Sequence, residues 1–495
     1  MAAQIWTVRS MSVVSFVVVG RQLEPAAFGL VALAGGIIGV LAILSDSGMA
    51  TYLIRQQQLD ETTRSTAFWT SLGLACTLAV LLAACAPLIA AAFDEPELTV
   101  VLWCLTLNLV LAGGSSVPNA LMRRELRFKA LAARGTAAAM TGAVLAIALA
   151  VAGAGVWALV AQSIGQAVVS AVMLWCAVDW RPTLQIERRR AREMLSFGSK
   201  LLTIDLLMQA RDRGEEFVLA GVASTTTLGF WTVATRLVKL IQDTGSQVIS
   251  SVTTPAFAKL QSDLPRLFRA YETAMSATGV VIFPAMLFLA ATSPDVVPLV
   301  LGEQWTRTAL VAQITAVTAA IGVFSYFDRT IFVAVGKLRP EMIMVALIIT
   351  LHLVVVVTLA PLGLTAMALG LLGRALFTFP VRQVVLHRVV GVPYRCLLKP
   401  FRVFAAAALM ALLVWGGGQV LPWEDRWARF GAYAGIAALT YPLLLLLLAR
   451  PVALDFGGEL KRLLAGRLRR GARASGPSQA QEPSATVRPT DSSKV

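Results

Sequence analysis

The sequence predicts an all-α polytopic membrane protein with 14 transmembrane helices, arranged as two six-helix lobes around a central cavity plus two C-terminal helices. Three observations predict it. The 495-residue chain is 57% hydrophobic and only 14% charged, with a mean hydropathy of +0.73, whereas a soluble domain carries about 25% charged residues. Apolar stretches of about 20 residues recur along it, each long enough to cross the hydrocarbon layer of a bilayer. Lysine and arginine fall almost entirely on alternate loops, the pattern that sets membrane orientation.

Taken in order, the expected spans are 4–20, 28–53, 67–92, 98–117, 132–152, 156–178, 197–221, 229–253, 271–292, 308–335, 342–360, 364–386, 402–421 and 430–449. Turn-forming residues separate most of them: Glu24-Pro25, Glu95-Pro96, Val117-Pro118, Gly153 with Gly155, Pro294, Pro361 with Gly363, and Leu421-Pro422. The first span is too long and too lightly basic at its start for a cleaved leader. Loops after even-numbered spans carry clusters such as Arg123, Arg124, Arg127 and Lys129, or Arg188, Arg189, Arg190 and Arg192. Loops after odd-numbered spans carry only Arg21, Arg307, Arg426 and Arg429. Both termini are therefore expected on the cytoplasmic side of the membrane. The formal charge of +15 is then topological, and no nucleic-acid partner is predicted. Cys76, Cys85, Cys104, Cys176 and Cys396 form no C-x-x-C pair, and the only histidines are His352 and His387; no disulfide framework, metal centre or cofactor is predicted.

Two echoes suggest internal repetition. Phe28-Gly29-Leu30 is matched by Leu228-Gly229-Phe230, and Gly155-Val156-Trp157-Ala158 by Gly363-Leu364-Thr365-Ala366. These point to an N-lobe over 1–195 and a C-lobe over 196–392. Two appended helices follow over 393–449, and then a basic, largely disordered cytoplasmic tail over 450–495.

Ionisable groups inside a bilayer cost roughly 2.5–3.5 kcal/mol each on insertion scales, so they tend to face polar cavities. The seventh span holds Asp205, Gln209, Arg211, Asp212, Arg213, Glu215 and Glu216, and the eighth Arg236, Lys239 and Asp243. Asp205, Gln209, Asp212 and Glu216 share one helical face, and Arg211 is spaced to pair with Glu215. Arg9, Asp46, Asp328, Arg329 and Arg374 are further charges within spans. The deep cations Arg9, Arg211, Arg213, Arg236, Lys239, Arg329 and Arg374 suit an anionic headgroup such as a pyrophosphate. The acids Asp46, Asp205, Asp212, Glu215 and Glu216 are candidates for ion coupling. Asp328 and Arg329 read as a local pair, His352 as a packing residue, and Pro118–Ala130 either as an interfacial helix or as an ordinary basic loop.

Several segments resemble a known family: Arg21-Gln22-Leu23-Glu24-Pro25-Ala26-Ala27-Phe28-Gly29, Leu44-Ser45-Asp46-Ser47-Gly48, Leu53-Ile54-Arg55, Pro118-Asn119-Ala120-Leu121-Met122-Arg123, Glu216-Phe217-Val218-Leu219-Ala220-Gly221 and Leu301-Gly302-Glu303-Gln304-Trp305. In this order the chain resembles the bacterial polysaccharide transporters, the Wzx-type flippases of lipid-linked oligosaccharides. Their superfamily also holds multidrug extruders and lipid II flippases. The resemblance implies two lobes forming a V around a cavity. It also implies that a polyprenyl-pyrophosphate-linked oligosaccharide moves from the cytoplasmic to the outer leaflet by alternating access, among membrane lipids and alongside polysaccharide polymerase or ligase machinery. Ala234-Thr235-Arg236-Leu237 is similar to the pattern around a cavity arginine in related lipid II flippases, which implies a headgroup role for Arg236. There is no P-loop for nucleotide. The rival readings are a multidrug extruder, expected to have an acidic cavity, and a membrane-embedded polymerase or ligase. The enzyme would need an outer catalytic loop, and Asp94-Glu95 is the only acidic pair that tempts such a reading.

Overall fold

The computed structural model describes the backbone of residues 2–260, 263–420 and 425–454. Within these it describes all side chains except those of 2–9, 200, 201, 203–205, 207, 208, 210–212, 243–256, 258, 259 and 420. The expected site residues Arg9, Asp205, Arg211 and Asp212 therefore lie outside the described side chains, and most of the expected tail lies outside the described residues.

Among the described residues every regular element is helical. The first half comprises α1 (Ala2–Gln22), α2 (Pro25–Asp46), α3 (Met49–Arg55), α4 (Glu61–Ala92), α5 (Glu97–Arg124), α6 (Phe128–Val151) and α7 (Trp157–Ala177). The second comprises α8 (Arg188–Val222), α9 (Thr225–Lys259), α10 (Leu264–Leu301), α11 (Thr306–Val323), α12 (Asp328–Ala334), α13 (Leu338–Leu359) and α14 (Leu364–Val390). Two further helices, α15 (Leu398–Val420) and α16 (Arg426–Leu448), complete the fold. Helices are the outcome physics demands, because backbone amides in hydrocarbon must be satisfied within their own segment.

Among the described residues eleven helical stretches are long and apolar enough to cross a membrane, and the chain is a multi-pass membrane protein. α1, α8 and α9 stand outside that set although they run for 21, 35 and 35 residues. Together with them the count is compatible with 14. The expected boundary at residue 195 falls inside α8, which starts at Arg188 after the extended segment 178–187.

Local sequence explains the breaks. Pro25 occupies the first turn of α2, where its missing N–H costs nothing. The helix stops where Ser47 (φ 41°) and Gly48 (φ 71°) turn left-handed, so the expected second span becomes α2 and α3. Ser224 caps α9 by accepting from the Thr227 N–H, and Asp263 caps α10 by accepting from the Arg266 N–H. The segment 118–130 is no separate interfacial helix. Its first part ends α5, and Leu126 (φ 54°) turns the chain into α6. Arg124 reaches across to donate to the carbonyls of Leu53 and Gln57, at 3.0 and 2.7 Å, satisfying the open end of α3.

The halves meet closely at the end predicted to be outer. The two glycines of the first echo touch there: a Cβ on Gly29 would stand 1.7 Å from the Thr225 carbonyl oxygen, and one on Gly229 would stand 1.8 Å from that of Pro25. Only glycine permits backbones this close. Around the crossing, Leu33, Leu98, Leu102, Leu228, Trp231, Val311 and Val356 form one apolar cluster shared by both halves. Beside it, α1 and α10 cap one another. Arg21 donates to Leu299 and Val300 carbonyls at 2.7 Å. Gln304 donates to Gly20 and Leu23 carbonyls at 3.0 Å. The Trp305 indole donates to the Gly20 carbonyl at 2.7 Å, with its ring edge-to-face against Phe28 and Phe230. At the opposite end each half has its own core, one around Phe68 and Met122 and one around Tyr271 and Phe283. The halves touch there through α8, where a Cβ on Gly198 would stand 1.6 Å from the Ser47 carbonyl oxygen.

Candidate functional site

Among the described mid-helix charges of α8 and α9, Arg213, Glu215, Glu216 and Arg236 are each partly buried and Lys239 is exposed. α8 packs on α2, α3 and α4 of the first half and on α13 of its own, while α9 packs on α2, α10 and α11. Arg213 and Glu216, three residues apart on α8, form an ion pair with contacts of 2.8 and 3.1 Å. The pair lies over the glycine face of α2: a Cβ on Gly36 would stand 3.0 Å from Glu216 Oε2, and one on Gly39 would stand 3.6 Å from Arg213 Nη2. Small residues there make room for charge at the boundary between the halves.

On the other side of α8, Glu215 and Glu216 line a cavity of about 220 Å³ with Trp231, Thr232, Thr235 and Lys239 of α9, Thr315 and Thr318 of α11, and Arg374 of α14. Threonines line much of it, and they keep part of their hydrogen-bonding capacity at home: Thr235, Thr315 and Thr318 donate to carbonyls one turn back on their own helices. Glu215 Oε2 stands 2.8 Å from His352 Nε2 of α13, a close contact out of hydrogen-bond alignment. Among the described residues no group of three or more His, Cys, Asp or Glu is placed to hold a metal ion.

Four of the expected site residues thus converge on one cavity: Glu215, Glu216, Lys239 and Arg374. Of the other described ones, Arg213 pairs with Glu216 and three stand elsewhere. Arg236 is on a different stripe of α9 from Thr235 and Lys239, and its guanidinium sits 4.9 Å from the centroid of the Phe16 ring of α1, a cation–π contact joining the halves. Arg329 is exposed at the start of α12. Asp46 accepts from the Ser116 hydroxyl, which ties the end of α2 to α5 beside the helix break.

The structure also shows a buried cluster that the sequence did not reveal. Asp328 accepts from the Tyr271 hydroxyl at 2.6 Å, from Arg382 Nε at 2.9 Å and from Gln383 at 3.2 Å, while Arg382 Nη2 reaches Glu341 at 2.9 Å. Asp328 is completely buried. The expected Asp328–Arg329 pair does not form, because adjacent helical residues point about 100° apart. Arg382 lies in α14, 54 positions from Asp328, and no spacing in the sequence links the two. His352 is likewise more than a packing residue, and no sequence spacing links it to Glu215, 137 positions away.

Comparison with known proteins fits this architecture. The lipopolysaccharide biosynthesis protein WzxC of Escherichia coli (strain K12) is 27% identical over 317 residues, covering 63% of this chain and 64% of the relative. The succinoglycan biosynthesis transport protein ExoT of Rhizobium meliloti is 25% identical over 288 residues, 58% of each. The chain thus spans less than two thirds of the length of these curated relatives. Among solved structures, the lipid II flippase MurJ in an inward closed conformation superposes with a TM-score of 0.73 at 13% identity, covering 91% of this chain and 99% of that one. An inward-facing multidrug transporter of the MATE family superposes with a TM-score of 0.60 at 17% identity, covering 77% and 95%. These likenesses establish the polytopic helical fold. The family described as "Polysaccharide biosynthesis protein" matches residues 18–310, more than half of the chain, and the protein belongs to that family.

Proposed function

We infer that the protein is a flippase, which moves a polyprenyl-pyrophosphate-linked oligosaccharide from the cytoplasmic to the outer leaflet of a bacterial inner membrane, with both termini cytoplasmic. One observation carries this reading: the described mid-membrane charges Arg213, Glu215, Glu216, Arg236 and Lys239 of α8 and α9 stand at a cavity and at the boundary between the halves. Lys239 and Arg374 hold the pyrophosphate, and Arg213 and Arg236 stand at the boundary where the halves must part. Arg9, Arg211 and Arg329 complete the set of cations expected along the path. The prenyl chain stays in lipid, since burying its many methylenes elsewhere would gain nothing over the bilayer.

Opening of the halves at the Gly29–Gly229 crossing, in turn with opening at the Ser47–Gly198 contact, alternates the access of the cavity, as in other repeat-built transporters. No bond is made or broken, so the protein is not an enzyme. Glu215 and Glu216, with Asp46, Asp205 and Asp212, are the candidates for carrying a coupling ion. Polymerase or ligase machinery is the expected consumer of the product.

The test uses proteoliposomes carrying a polyprenyl-pyrophosphate oligosaccharide, with translocation read by a membrane-impermeant glycosidase. The Lys239→Ala/Arg374→Ala variant should remain folded and lose translocation. Wild-type rates in that variant would remove the site. Translocation absent from the wild type, with efflux of a cationic drug instead, would favour an extruder.

A further inference from the structure

A second cavity, of about 460 Å³, lies at the end predicted to be cytoplasmic, far along α10 from the outer crossing. It is lined by Pro265, Phe268, Arg269 and Glu272 of α10, by Pro393, Arg395 and Cys396 in the turn after α14, and by Leu398, Lys399 and Arg402 of α15. Four cations face one carboxylate. That carboxylate is already engaged, since Lys399 Nζ stands 3.3 Å from Glu272 Oε2. Among the described residues Arg269, Arg395 and Arg402 form no ion pair. The rim is apolar: Tyr394, Leu398 and Phe401 are 48%, 59% and 52% exposed.

We propose that this cavity binds an anionic phospholipid of the inner leaflet that carries two phosphates, and that the lipid clamps α15 to α10. The membrane-orientation rule asks only that cations lie on one side. It does not ask three unpaired arginines from three separate elements to converge on one hollow. Arginine forks match phosphate oxygens bidentately, and basic pockets between membrane helices at this depth recognise doubly charged lipid headgroups. Three unpaired cations match two phosphates better than one. The exposed Leu398, Phe401 and Tyr394 decide between a lipid and a free anion: a soluble diphosphate has no use for an apolar rim, whereas acyl chains run along it. The aromatic rings sit where interfacial aromatics sit. The site shares no residue with the α8–α9 cavity, and it rests on the membrane orientation alone, not on the cargo.

The test uses the purified full-length protein in neutral detergent, with lipid retention read by native mass spectrometry and unfolding by thermal melting. Tetraoleoyl cardiolipin should be retained and should raise the melting temperature, while phosphatidylcholine and inorganic pyrophosphate should not. The Arg269→Gln/Arg395→Gln/Arg402→Gln variant should bind cardiolipin about tenfold more weakly for each arginine lost. A variant with the same charge change elsewhere, Arg188→Gln/Arg189→Gln/Arg192→Gln, should bind as the wild type does. An equal loss in that control would overturn the pocket in favour of general surface charge. Protection by pyrophosphate alone would overturn the lipid, and no retention by the wild type would overturn the site. Intact translocation with lost cardiolipin retention separates this site from the cargo cavity.

Discussion

Substituting Gly229 by alanine tests the outer crossing directly. The added methyl would stand 1.8 Å from the Pro25 carbonyl oxygen, while ordinary contact begins near 3.4 Å. α2 and α9 must part by about 1.6 Å, and neither backbone can rotate away as a side chain could. Overpacking of this kind costs about 1–3 kcal/mol. The cost falls only on the state in which the outer ends touch, so it shifts the balance toward the state in which they are apart by about 5–150-fold.

Thr225, buried at the seam, is the reporter. With the five native cysteines replaced, Thr225→Cys is exposed to a membrane-impermeant maleimide in right-side-out vesicles. Labelling should accelerate in the Gly229→Ala background by a factor within that range. Gly35→Ala, which meets open space on α2, is the control and should leave the rate unchanged. An unchanged rate in Gly229→Ala, with the protein still folded, would refute the idea that this crossing opens.

Three further outcomes follow from the geometry. Arg382→Met leaves the buried Asp328 and Glu341 carboxylates without their shared cation and should destabilise the second half by about 3–5 kcal/mol; Asp328→Asn added to it should recover part of the loss in thermal melts. Trp305→Phe keeps the ring contacts with Phe28 and Phe230 but removes one of the two side-chain donors to the buried Gly20 carbonyl, leaving Gln304, and should cost about 0.5–1.5 kcal/mol, seen as a lower melting temperature and faster labelling at Thr225→Cys. Asp60, ahead of α4, accepts from Thr63 and from Arg190, and these bonds hold its carboxyl below the usual carboxylate value. A depressed carboxylate stabilises the fold above its unfolded pKa, and that contribution disappears as pH falls through the folded value. The melting temperature of the wild type should therefore drop below about pH 4 more steeply than that of Asp60→Asn.

The polytopic helical class, the order of the apolar stretches and the alternation of basic loops were legible in the chain itself, whereas the break at Asp46–Gly48 inside the expected second span was not. The first three depend on local composition or on neighbours within a helical turn, and the bilayer makes both nearly decisive, since any apolar stretch of the right length must span it. The charged stretch of α8 was equally legible, because so many ions in one helix cannot face hydrocarbon. Only the tertiary structure decided which charges share a space. It brought Lys239 and Arg374 to Glu215 and Glu216, turned Arg236 toward Phe16, separated Arg329 from Asp328, and joined Asp328 to Arg382 and His352 to Glu215. Those pairings depend on how helices distant in sequence rotate and cross. Close packing at small residues such as Gly29, Gly229 and Gly198 sets that rotation, and no periodicity within one helix records it.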